Sequence, residues 1–159
     1  MYKRQTLRLL PLPEKMETLV FTFDSFSDAS AFAAAVLATK LLPAALEVAN
    51  RSVLETMDFK GMDFTAGPYA VMVALEAFHE AVTRMRKELQ AMARHFGVKG
   101  HTLIEEDKHR LFWLTLGELQ SASIERSPRS VALQINYPLS AWKALFEFAD
   151  RILSQNGLE

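Results

Sequence analysis

The chain has no cysteine among its 159 residues. That excludes disulfides, thiolate metal sites and cysteine nucleophiles together. Glycine and proline are sparse, six of each, and there is no low-complexity segment or internal repeat. No apolar run approaches the ~20 residues of a membrane span. The basic start, MYKRQ, leads into no continuous apolar core or small-residue cleavage site, so it does not read as a secretory signal. Neither sign of charge is in excess. Eighteen Lys and Arg stand against nineteen Asp and Glu, a net charge of −1, which gives no electrostatic reason for a nucleic-acid or anionic-membrane partner. These absences fit a cytoplasmic protein, peripheral to a membrane at most within a larger complex.

What is present is ordinary globular composition, 50% hydrophobic and 23% charged. A chain of this length buries roughly two-thirds of the surface that it exposes when unfolded. Residues 17–24 read as a strand, with Leu19, Phe21 and Phe23 on one face and Thr18, Val20 and Thr22 on the other. Ser27 reads as the N-cap of an Ala-rich helix running to about Leu41, with Phe32, Ala35 and Val36 as its apolar stripe and Pro43 as its stop. Residues 45–50 alternate as a strand, 56–67 read as a loop, and 69–76 form a nearly continuous apolar strand. The clearest helix spans 78–96, where Phe78, Val82, Met85, Leu89, Met92 and Phe96 recur at spacings of four and three and Gly97 supplies the C-cap.

A short strand is expected near 99–104, a helix over 105–120, a strand over 130–137 and a last helix over 139–155. The helix at 105–120 takes its bulk from Leu111, Leu114 and Leu119 with Phe112 and Trp113. The order predicts an α+β fold: a two-layer sandwich with a ferredoxin-like antiparallel sheet and helices on one face.

Complete catalytic constellations are missing. The four histidines, His79, His95, His101 and His109, include no HxxxH or HExxH pair. Glu105, Glu106 and Asp107 are adjacent, which spreads their carboxylates around a helix start, so they read as a solvated first turn. No metal site is expected. Ser121, Ser123, Ser127 and Ser130 around Arg126 and Arg129 lack the glycines of a phosphate loop, and "GMDFTAG" lacks the setting of a dinucleotide fingerprint.

Several stretches, in order, resemble one family. "TLRLLPLPE" is similar to the end of the flavin domain in FAD-linked oxidases of the vanillyl-alcohol-oxidase and p-cresol-methylhydroxylase type, and more narrowly of the D-lactate and glycolate dehydrogenase branch. "FTFDSFSDASAFAAAVLATKLLPAALEVANRSVLE", "PYAVMVALEAFHEAVTRMRKELQAMARHFG", "HRLFWLTLGEL" and "VALQINYPLSAWKALFEFADRI" resemble successive units of the C-terminal cap.

The resemblance implies a substrate-side cap of an enzyme that oxidises a 2-hydroxy acid (glycolate- or D-lactate-like) or a related alcohol by hydride transfer to FAD. Residues 1–15 would then be the remnant of the last flavin-domain strand and a proline linker, and 16–159 the cap, the whole being a fragment. FAD is expected in the intact parent and none in this chain alone, which is expected to be inactive by itself. The expected partners are the missing flavin-binding domain and the substrate. Self-association through a face stripped of its partner is also expected. The resemblance names no catalytic residue here, points to Asn50, Trp113 and Tyr137 as pocket-facing positions, and leaves the flavin-contacting residues unassigned. At Gly117 the family often carries an arginine that binds a substrate carboxylate, a role left here to Arg110, Arg126 or Arg129. The contrasting reading is a stand-alone α+β ligand-binding or regulatory module that dimerises through its sheet. It would hide or pair the apolar face that a separated cap exposes.

Overall fold

The computed structural model describes residues 12–57, 59, 64, 66–126, 131 and 133–156. Residues 1–11, most of the expected remnant of a flavin-domain strand and linker, lie outside them. Four strands, β1 (Lys15–Phe23), β2 (Ala45–Asn50), β3 (Tyr69–Ala77) and β4 (Gly100–Glu105), form one antiparallel sheet in the order β2-β3-β1-β4. This is the split β-α-β order that the sequence predicts: β1 and β2 run parallel with β3 between them, and β4 closes the other edge.

Among the described residues six α-helices accompany the sheet: α1 (Phe26–Leu37), α2 (Arg51–Met57), α3 (His79–Ala93), α4 (Glu106–Gly117), α5 (Leu119–Arg126) and α6 (Trp142–Gln155). The α+β class is as expected. The helices, however, lie on both faces of the sheet. The reason is written in β1, where every side chain from Glu17 to Phe23 is buried. Leu19, Phe21 and Phe23 join Val71, Val73 and Leu75 of β3 beneath α1 and α3, against Phe32, Ala33, Val82 and Leu89. Val20, with Ala70, Met72 and Ile104, faces the other way, onto Leu54 and Met57 of α2 and Phe112 of α4. A strand apolar on both faces needs two covers.

Aromatic rings knit the first core. Phe32 meets Phe21 edge-to-face at 4.9 Å between centroids and Phe23 at 5.5 Å. Such geometry adds about 0.5–1.5 kcal/mol per pair beyond the area buried.

Local chemistry sets the boundaries. The cap of α1 is Ser25, not Ser27: its Oγ accepts from Asp28 N at 3.1 Å and its hydroxyl donates to Asp28 Oδ2 at 2.8 Å. The helix stops at Leu37, ahead of Pro43, because Thr39 Oγ1 donates to Val36 O at 2.6 Å and accepts from Leu41 N at 3.2 Å. Leu42 then turns the chain into β2 with φ 41°. α3 ends in one 3₁₀ turn, Arg94–Phe96, capped by Gly97 at φ 71°, as the glycine signal predicts.

Three expectations change. Residues 51–57, at the start of the stretch between β2 and β3, form α2, whose amide at Val53 is capped by Asn50 Oδ1 at 3.2 Å. Residues 131 and 133–137 form no strand, and among the described residues β2 is the last strand of the sheet on its side. In α4, Leu111 and Leu114 face solvent at 56% and 65% exposure, while His109 and Phe112 are buried. Positions 109, 112, 113 and 116 share the sheet-facing stripe, three and four apart.

Candidate functional site

Glu106, with φ 50°, folds the chain sharply from β4 into α4. That turn brings His109 and Trp113, one helical turn apart, down onto β1 and β3. Trp113 Nε1 donates to Thr18 Oγ1 at 2.8 Å. His109 Nδ1 lies 2.8 Å from the same hydroxyl, and His109 Nε2 lies 3.1 Å from Glu76 Oε1.

The donors in this group can be assigned by elimination. A carboxylate only accepts, so Nε2 carries the imidazole proton towards Glu76. In the neutral ring Nδ1 is then an acceptor, and the Thr18 hydroxyl donates to it while accepting from Trp113. Thr18 and His109 are buried. The Glu76 side chain is 38% exposed, so the hydrogen-bonded series runs from the interior to the surface. It can hold a proton at Nε2 and fixes the indole of Trp113, but these residues line neither the cleft beneath α6 nor the one at the turn from α1 to β2.

A cleft of about 380 Å³ beneath α6 lies on the opposite side of the sheet. Leu37 of α1, Leu46 and Val48 of β2, Ile135 and Tyr137, and Trp142 and Phe146 of α6 line it. Phe146 stacks on Phe26 with centroids 3.8 Å apart, and Trp142 meets Phe26 edge-to-face at 5.5 Å. Tyr69, at the start of β3, has its phenol pushed up by burial and then by Asp150 on α6. Burial also pushes up the carboxyl of Glu47, at the cleft margin. The second cleft, about 400 Å³, lies at the turn from α1 to β2 around Leu42 and Pro43.

The three pocket positions taken from the resemblance therefore do not meet. Trp113 belongs to the α4 face and Tyr137 to the cleft beneath α6. Asn50 ends the edge strand with its side-chain oxygen committed to the cap of α2. Of the substitutes for the missing arginine, Arg110 is exposed on α4 beside His109. Arg129 lies outside the described residues, as does the side chain of Arg126. The bonds of His109 with Thr18 and Glu76 were invisible to sequence reasoning. The spacing of His109 with Phe112, Trp113 and Leu116 was the one signal that could have placed it on a buried face.

A flavin dinucleotide needs backbone amides or cations gathered around its diphosphate. The described residues do not offer that cradle. A Cβ at Gly67 would run into the Phe23 backbone, so that glycine serves the approach of two segments of this chain and leaves no gap for a ligand. The left-handed turn at Gly97 opens to solvent with nothing beside it. The cleft beneath α6 is lined mainly by aliphatic and aromatic side chains. Among the described residues no group of three or more His, Asp or Glu is placed to hold a metal ion, and no helix is long and apolar enough to cross a membrane.

No curated protein matches the sequence. The family described as FAD linked oxidases, C-terminal domain, matches residues 12–159. That match spans nearly the whole chain, β1 to α6 included, and the chain belongs to the C-terminal domain family of the FAD-linked oxidases.

Proposed function

We propose that this domain is the substrate-side cap of a flavoenzyme that oxidises a 2-hydroxy acid of the glycolate or D-lactate type. The observation that carries the reading is the family match over residues 12–159, which implies FAD in the parent protein and a flavin-binding partner domain. The residues described here do not fit the dinucleotide, so the partner domain holds it and this chain contributes substrate recognition. An acid substrate needs a cation, and Arg110 takes that role. It is exposed and directly follows His109 on the helix that also carries Trp113, which the Thr18 hydroxyl fixes in place. Asn50 and Tyr137 remain pocket-facing candidates of the same proposal, each at the rim of a different face.

A large part of the exposed apolar surface lies late in the chain, at Val131, Leu133, Ile135, Phe148 and Ile152. This distribution favours a cap that meets a partner over a self-contained module, and it is the reason to expect self-association of the separated domain.

The test is anaerobic flavin reduction by the intact enzyme, this domain together with its flavin domain. Glycolate or D-lactate should bleach the flavin far faster than a neutral alcohol of similar size. Arg110→Met should raise KM for the acid by about tenfold or more, consistent with the loss of one charge-assisted hydrogen bond. Equal reduction by the neutral alcohol would overturn the substrate assignment. An unchanged KM in Arg110→Met would overturn the role of that residue alone.

A further inference from the structure

Thr18, Ala74 and Ile104 lie side by side across β1, β3 and β4, and Glu76 is the next residue of β3 on the same face. The His109 ring spans the two positions, with Nδ1 2.8 Å from Thr18 Oγ1 and Nε2 3.1 Å from Glu76 Oε1. Trp113 Nε1 completes the series, 2.8 Å from the same Thr18 oxygen. Each link uses one donor: Trp113 gives to Thr18, Thr18 to His109 and His109 to Glu76.

The other neutral tautomer of His109 breaks this order. A bare Nε2 would face a carboxylate that only accepts, and the Nδ1 hydrogen and the indole would both point at Thr18 Oγ1. The Thr18 hydrogen would then need a new acceptor in a fully buried place. Of the four groups Glu76 alone brings an acceptor and no donor, so it sets the direction of the whole series.

We propose that Glu76 is a positioning residue of the enzyme: through His109 and Thr18 it fixes the indole of Trp113 in the wall that faces the substrate. This rests on the reading of α4 as the substrate side, where Arg110 and Trp113 stand one helical turn apart. Packing alone does not call for such a series. A leucine or phenylalanine at 109 would join the apolar cluster of Ile104 and Phe112 with no buried polar atoms to satisfy. The chain instead commits a histidine that is 2% exposed and a fully buried threonine to an indole that is itself only half-buried. A directional series of hydrogen bonds gives an aromatic ring one orientation where packing leaves several. The group that sets it sits three hydrogen bonds from the indole, at the half-exposed end.

The test compares Glu76→Gln, which keeps an acceptor oxygen, with Glu76→Leu and Glu76→Lys, which have none. On the whole chain, nitrogen-resolved NMR at about pH 8, above the ordinary titration range of histidine, reads which ring nitrogen of His109 carries hydrogen and where the Trp113 Nε1 hydrogen resonates. Glu76→Gln should keep the native pattern. Glu76→Leu and Glu76→Lys should both move the indole signal, and Glu76→Lys, with donors only, should shift the His109 hydrogen to Nδ1. In the intact enzyme with its flavin domain, Glu76→Leu and Glu76→Lys should raise KM for the acid about threefold or more, and Glu76→Gln should stay within about twofold.

Unmoved His109 and Trp113 signals in Glu76→Leu and Glu76→Lys would overturn the proposal, whatever happens to their unfolding temperatures. Moved signals with an unchanged KM would overturn it as well. An equal effect of Glu76→Gln and Glu76→Leu would trace the loss to charge and do the same. Equal flavin reduction by a neutral alcohol refutes the acid substrate alone, and KM for that alcohol then reads the same wall.

Discussion

Replacing Arg86 with Met should destabilise the protein by about 2–3 kcal/mol, far more than removal of a surface arginine. Glu17 sits on β1 directly opposite Leu75 on one neighbouring strand and Glu105 on the other, with its side chain fully buried. Both cations that reach it converge on a single oxygen: Lys15 Nζ at 2.6 Å and Arg86 NH1 at 3.0 Å from Oε1. The other oxygen, Oε2, is buried without a hydrogen-bond partner among the described residues. Lys15 also reaches Glu105 at 3.7 Å, so its charge is shared between two carboxylates.

Removing one partner of a buried pair costs about 3–5 kcal/mol, because the remaining charge stays desolvated. Lys15 stays in place, which brings the expectation to the lower end and slightly below. Met keeps the apolar stem of the arginine, so the loss reports charge more than packing. Urea unfolding followed by far-ultraviolet circular dichroism should show the midpoint falling by about 1 M, given a slope near 2–3 kcal/mol per M.

Arg84→Met is the control. Arg84 meets Glu88 at 3.6 Å with both side chains more than half exposed, and its loss should cost under about 0.5 kcal/mol. The double variant Glu17→Leu/Arg86→Met should fall short of the sum of its single variants by about 1–2 kcal/mol. An Arg86→Met protein as stable as the Arg84→Met control, or strict additivity in the cycle, would refute the argument.

Thr18→Val should cost about 2 kcal/mol, since it leaves the half-buried Trp113 Nε1 and the buried His109 Nδ1 without their shared partner; thermal unfolding and the fluorescence of Trp113 in a Trp142→Phe background would report it. Leu42→Gly should stabilise by up to about 1 kcal/mol, because a left-handed φ of 41° is held by a leucine that is 86% exposed and gives up little burial. Glu47→Gln should stabilise the protein at neutral pH. The Glu47 carboxyl is raised above 4.5 by burial, so its contribution to stability is fully present below that value and is lost as pH rises through the raised folded value. The gain over wild type should therefore vanish below about pH 4.5 in a pH series of urea midpoints.

The parts of the fold that could be read from sequence are those whose information is local. The alternation of β1 assigned residues 18–23 to the correct faces, and the four-and-three spacing of α3 with Gly97 marked that helix and its end. The exact cap of α1 escaped because Ser25 and Ser27 are chemically equivalent, and only the reach to Asp28 separates them. α2 escaped because seven residues carry little periodicity, although Asn50 before them is a cap signal. The second helical layer was implicit in the two apolar faces of β1. Finding it required asking what covers Val20 as well as what covers Phe21. The bond between Thr18 and His109 spans 91 residues of sequence and carries no local pattern. Residues 130–137 show the converse. Their alternation is real, but the described residues of the stretch stand unpaired beside the sheet, since alternation fixes which sides match and leaves open whether a neighbour is present.

Because β1 supplies Leu19, Phe21 and Phe23 to one core and Val20 to the other, neither core survives without the same nine-residue segment. A slip of β1 by one position would exchange its two faces at once and send Thr18 and Thr22 into the phenylalanine cluster. The two layers are thereby locked into one cooperative unit, with β1 as the shared wall. In native hydrogen exchange the amides of α3 and α4, on opposite sides of that wall, should open together with β1 in the slowest, global event.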